Sequence, residues 1–185
     1  MALSDFDFGD IQGLVRFAYA HLADARFYLL RIADAGAARA WLAAHLPAGS
    51  ARQAAPRGGA GPEALSITNA VKETPPDHAL QVAFTAEGLR RMGVDESIVN
   101  GFSAEFVGGM VQESRSRRLG DIEENAPKHW SWGWPDQPER MPHLVVLLYA
   151  EAGRLQQWEA RVHDAAWEAA QVKQFSELAK HYTLN

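Results

Sequence analysis

The 185-residue chain contains no cysteine. That absence excludes disulfides, thiolate nucleophiles, Cys-ligated zinc and iron–sulfur clusters. Positive charge is not in excess: 18 Lys and Arg against 23 Asp and Glu give a net charge of −5. There is no global electrostatic case for nucleic acid. Long apolar runs are missing too. The longest, at 144–150, falls far short of the about eighteen residues a membrane span needs. The opening text, MALSDFDFGDIQG, is acidic, with no basic stretch leading into an apolar one. No secretory or transit signal is expected, and the expected location is the cytoplasm. No 20–50-residue period, GxSxG elbow, HExxH pair or GK[ST] loop ending is present, which removes solenoids and the hydrolase, zincin and phosphate-loop signatures.

What is present reads as one packed domain over 1–185. Hydrophobic residues make up 47% and charged residues 22%, an ordinary globular balance. Residues 1–24 read as an N-terminal extension. Two long loops are expected. One, at 47–62, is rich in Gly, Ala, Pro and Arg. The other, at 120–142, holds four prolines and three tryptophans.

Strands are predicted at 27–32, 65–71, 79–84 and 143–149, the last apolar enough for burial on both faces. Helices are predicted at 37–45, at 86–92 with Thr85 as N-cap and Gly93 as stop, and from Ser103 to about 119. A final helix is predicted over 154–179. There Leu155, Trp158, Val162, Ala165, Ala169 and Val172 form one apolar stripe. The order β-α-β-β-α-β-α is that of a split βαβ, ferredoxin-like α+β fold with extra helices. Its antiparallel sheet carries helices on one face, and the other face calls for a partner domain, a partner chain or water.

Few side chains suggest chemistry by spacing. Seven histidines are scattered, and none sits in a known ligand pattern. Asp121, Glu123, Glu124 and His129 offer metal-type ligands on one loop, although an acidic loop is ordinarily just solvated. His163 and Asp164 are sequence neighbours about 100° apart on a helix, a poor dyad. Arg115, Arg117 and Arg118 cluster at a helix end whose dipole favours cations. The segment around 57–61 is Gly-rich without the residues of a phosphate cradle. The most distinctive text is His129-Trp130-Ser131-Trp132-Gly133-Trp134-Pro135. Trp130, Trp132 and Trp134 are read as a loop-packing or interface cluster, with electron transfer or ligand stacking as the sharper alternative.

Several stretches, taken in order, resemble one family. They are Asp10-Ile11-Gln12-Gly13-Leu14, Ala25-Arg26-Phe27-Tyr28-Leu29-Leu30-Arg31, Ala38-Arg39-Ala40-Trp41-Leu42 and Ile67-Thr68-Asn69-Ala70. Val82 to Leu89, Phe102 to Met110, Arg118-Leu119-Gly120-Asp121, Ala126-Pro127 and Trp130 follow. Over residues 9 to 150 the chain resembles the N-terminal half of a dye-decolorizing (DyP-type) haem peroxidase. The resemblance implies two ferredoxin-like halves, with haem in the C-terminal one. That half would supply a GxxDG segment with a distal Asp, a distal Arg and a proximal His. No GxxDG occurs in this sequence, and Asn185 is expected to precede the point where it would begin. No catalytic, haem-binding or metal-ligating residue is therefore assigned. Haem enters only through a missing C-terminal half. The expected partner is a second copy, as a homodimer, or a separate chain carrying that half. Neither nucleic acid nor membrane is expected. Two other readings stay open: a non-enzymatic oligomeric assembly or binding module, and a dimeric α+β-barrel small-molecule binder using a cavity histidine such as His143 or His78.

Overall fold

A computed structural model describes residues 7–46, 65–71, 76–163, Trp167, Lys173–Gln174 and His181–Thr183. The predicted 47–62 loop, with its Gly-rich segment, lies outside the described residues, as does Asp164.

The described elements are α1 (Leu14–Phe17), β1 (Asp24–Arg31), α2 (Ala35–Ala44), β2 (His78–Phe84), α3 (Ala86–Arg91), α4 (Glu96–Val99), α5 (Ala104–Gly108), α6 (Glu113–Leu119), β3 (Leu144–Ala150), α7 (Leu155–Val162), β4 (Lys173–Gln174) and β5 (His181–Thr183). Strands stand in the order β2-β3-β1-β4, and β5 also pairs with β1. All of these pairings are antiparallel. This is the split βαβ arrangement expected from the sequence. β3 occupies the centre, pairing with β1 along one side and β2 along the other over all its residues. Its apolar run is buried at Leu144, Val146, Leu148, Tyr149 and Ala150.

Local chemistry sets the helix starts. Asp34 caps α2 by accepting from Ala37 N at 2.8 Å. Thr85 caps α3 through Gly88 N at 2.9 Å, and Ser103 caps α5 through Phe106 N at 3.2 Å. Each cap satisfies a helix N–H that has no partner within the helix. Gly93 adopts φ +84° just past α3, the left-handed stop expected of glycine.

Three predicted elements differ. The helix expected over 103–119 is two helices, broken at Gly109, which takes φ +62°. Within the helix expected over 154–179, α7 ends at Val162, Trp167 is again helical, and Lys173–Gln174 forms β4 against Leu30 and Arg31. The outer edge of β1 needs backbone partners, and that demand outweighs the helical stripe.

The third difference is at 65–71, which forms no strand and makes only an isolated bridge, Asn69 to Gln12. Side chains take over the pairing there. Gln12 accepts from Val82 N at 2.7 Å and donates to Val82 O at 2.8 Å. Thr68 N donates to Leu80 O at 2.9 Å, and the Thr68 hydroxyl accepts from Leu80 N at 3.1 Å. The free edge of β2 is thus satisfied without a regular strand. Gly13 is needed beside Gln12, since a Cβ there would lie 1.9 Å from the Tyr19 hydroxyl and 2.7 Å from Asn69 O.

The main core lies between the sheet and helices α2 and α7. It joins Tyr28, Leu30, Leu80, Val146 and Leu148 from the strands to Trp41, Trp158 and Val162 from the helices. The Trp41 indole N–H donates to Val162 O at 3.2 Å and ties the two helices together. On the opposite face, among the described residues, Tyr19 and Leu22 pack on Ala25, Ala79 and Tyr149, with Phe27 and Leu147 at the margin of that cluster. Phe27, Leu29, Val145 and Leu147 are half-buried, and Ala83 is exposed.

Replacing Gln12 by Ala leaves the Val82 N–H and C=O without their partner. The expected loss is about 2 kcal/mol, since an unsatisfied half-buried backbone group costs about 1–3 kcal/mol. Urea unfolding of Gln12→Ala measures it, and an unchanged midpoint would contradict the side-chain pairing of this edge.

Candidate functional site

A polar and aromatic cluster lies where β1 meets α7. Arg26 and Tyr28 sit two residues apart on β1, so they share the face toward α7. Tyr28 is 1% exposed, and its hydroxyl donates to one oxygen of Glu159. Arg26 forms an ion pair with the other oxygen. Burial pushes the Glu159 carboxyl up. The hydrogen bonds from Tyr28 and Arg26, with the Arg26 charge, outweigh it and hold the group below the usual carboxylate range. Burial, followed by the hydrogen bond and charge of Glu159, pushes the Tyr28 phenol well above its ordinary value.

Aromatic rings surround Tyr28. His163 lies 5.1 Å away and Trp167 5.7 Å away, both edge-on. Trp41 stands 5.5 Å beyond Trp167. Sequence reading missed this cluster. One signal was available: Glu159 falls among Leu155, Trp158 and Val162 at the spacing of a helix's buried face, where a carboxylate requires a partner. Nothing local marks that partner, which lies 131 residues upstream.

The residues singled out by sequence are not brought together into a site. Trp130, Trp132 and Trp134 are each half-buried. The Trp130 N–H donates to Asn125 O at 3.0 Å, and Gly133 N to Arg140 O at 3.1 Å. These bonds hold the loop to itself. Among the described residues, no group of three His, Asp or Glu side chains could hold a metal ion. Arg115 reaches from α6 to α5, donating to Glu105 O at 3.1 Å, and Arg117 pairs within α6 with Glu113 at 2.5 Å, so both are engaged by neighbouring groups.

Most histidines are engaged in the fold. His143, 5% exposed, accepts from Ile32 N at 3.0 Å through Nδ1. His45 is fully buried, its Nδ1 bonded to Trp41 O at 2.8 Å and its ring 4.3 Å from Trp41. His78 pairs with Asp77 at 2.6 Å and stacks on Trp158 at 3.8 Å. His21 bonds Pro76 O at 2.9 Å, and His129 is exposed.

No family model matches the chain, and no curated protein matches it. Solved structures do. A fungal DyP-type peroxidase from Auricularia auricula-judae superposes with a TM-score of 0.61 at 18% identity, over 92% of this chain and 32% of that one. A dye-decolorizing peroxidase in complex with 2,6-dimethoxyphenol gives 0.60 at 17% identity, over 96% and 34%. A dye-decolorizing peroxidase whose heme pocket was engineered for asymmetric sulfoxidation gives 0.61 at 18%, over 92% and 32%. The chain shares the fold of DyP-type peroxidases. It spans about a third of the length of those it matches. The ferredoxin-like α+β architecture expected from the sequence is present, and the expected likeness to DyP-type peroxidases is met at the level of the fold. No helix among the described residues is long and apolar enough to cross a membrane.

His143 makes stability depend on pH. Burial holds its pKa below the ordinary histidine value, with Arg31 and Arg91 adding to the effect and Glu87 opposing it. The unfolded chain therefore takes up the proton first. Stability is full above the unfolded value of about 6.5 and falls as pH drops toward the lowered folded value. Between about pH 7 and pH 5 the wild type is expected to lose more stability than His143→Asn. Denaturant unfolding across that range checks this, and parallel profiles for the two proteins would contradict it.

Proposed function

We propose that the chain is the half of a DyP-type peroxidase that does not ligate haem. In this reading it scaffolds a second half, which carries the haem and the peroxide-dependent oxidation of organic substrates. Alone it is inactive. One observation carries the proposal: helices α2 and α7 cover one face of the sheet, while among the described residues Phe27, Leu29, Val145 and Leu147 are half-covered on the other. Apolar area of that kind is normally buried by association. The fold likeness over about a third of DyP-type chains supports the same reading.

No haem ligand is assigned among the described residues. In His143, His45 and His78 the fold engages Nδ1, and in His21 Nε2. The His143 and His45 rings are buried within the domain. The haem of a complete assembly would then be held by residues of the second half, and this chain would contribute rigidity and the covering of one wall.

The open face also favours a second reading, a homodimer or larger homo-oligomer in which two copies cover each other's sheets. Large exposed apolar side chains between β2 and β3, namely Ile98, Phe102, Met110, Leu119 and Ile122, are consistent with contact surface there too.

Hemin titration of the purified chain, read at the Soret band against hemin without protein, tests the central point. The expected result is no saturable red-shifted band. A saturable band at one hemin per chain, lost in a single histidine variant, would overturn the proposal.

A further inference from the structure

The Tyr28–Glu159 pair joins a buried phenol to a carboxylate that can act as its base. A phenol gives up an electron at accessible potential only when its proton leaves in the same event, because the oxidised phenol is a strong acid. Tyr28 meets that condition without solvent. Its hydroxyl already donates to a carboxylate that Arg26 holds in place and keeps ionised. The Glu159 side chain is 19% exposed, so a proton delivered there can exchange with water. Tyr19 is the contrast. It is also fully buried, yet its hydroxyl has no hydrogen-bond partner among the described residues.

We propose that Tyr28 is a one-electron donor site, with Glu159 as its proton acceptor and Trp167 and Trp41 as an adjoining aromatic relay. The relay rests on edge-on ring contacts of 5.7 Å from Tyr28 to Trp167 and 5.5 Å from Trp167 to Trp41. The oxidant is a high-potential, outer-sphere one-electron acceptor. In each event the oxidant gains one electron. The Tyr28 O–H bond breaks, leaving a neutral phenoxyl radical, and the proton converts the Glu159 carboxylate to the acid. Arg26 keeps its charge and is a positioning residue. The inference goes beyond the peroxidase-half reading and does not rest on it, since only this chain is needed.

The test is flash-quench oxidation of the full chain with photogenerated ruthenium(III) tris-bipyridine, read by transient absorption and electron paramagnetic resonance. The wild type is expected to give a neutral tyrosyl signal with a solvent deuterium isotope effect on its formation. Tyr28→Phe removes only a hydroxyl, and it is expected to abolish that signal and leave tryptophan radicals. Tyr19→Phe and Tyr149→Phe are expected to retain it. Glu159→Gln keeps an acceptor oxygen but not the base, and it is expected to lose the tyrosyl signal and the isotope effect. A tyrosyl signal that persists in Tyr28→Phe would overturn the proposal. So would one unchanged in a folded Glu159→Gln. Should Glu159→Gln fail to fold, the Tyr28→Phe result decides alone.

Discussion

The rest of the structure depends on the pairing of β3 along both of its sides. Each of its residues faces a partner on β1 and another on β2. The register puts Leu144, Val146, Leu148 and Ala150 on the face toward α2 and α7, and Val145, Leu147 and Tyr149 on the other. One strand thereby commits apolar side chains to both faces of the sheet. Helices α2 and α7, with Leu65 and Ile67, cover most of the first face. Among the described residues the second is covered where the chain before β1 folds back over it.

Much of this was legible in the sequence. The caps at Thr85 and Ser103 and the stop at Gly93 are local chemistry, and they lie where the sequence put them. The β3 run was legible because few surface strands are apolar at every position. The segment at 65–71 was not, because β-branched Ile67 and Thr68 suit a strand but also suit an edge held by side chains. Which form wins depends on Gln12, more than fifty residues upstream, filling the Val82 pairing position. The end of α7 was misread for a similar reason. The stripe continues past Val162, but the open edge of β1 draws Lys173–Gln174 into the sheet.

The site was less legible than the fold. Three tryptophans within five residues drew attention to a loop that bonds mainly to itself. The more organised chemistry is spread over β1, α2 and α7, and no short motif spans those elements. Arg26, Tyr28 and Glu159 become a unit only when the sheet and α7 pack, whereas the family resemblance was carried by many weak stretches in the right order. That difference explains how a fold likeness at 17–18% identity coexists with a sequence that names no catalytic residue.

The central claim is that the half-covered sheet face is a contact face. Sedimentation velocity at rising concentration tests it most directly, on the wild-type chain and on Val145→Lys, which places a charge at the middle of that face. Concentration-dependent association of the wild type, lost in the variant with the fold retained by circular dichroism, is the predicted result. A wild-type chain that remains a monodisperse monomer at every concentration would contradict self-association through that face.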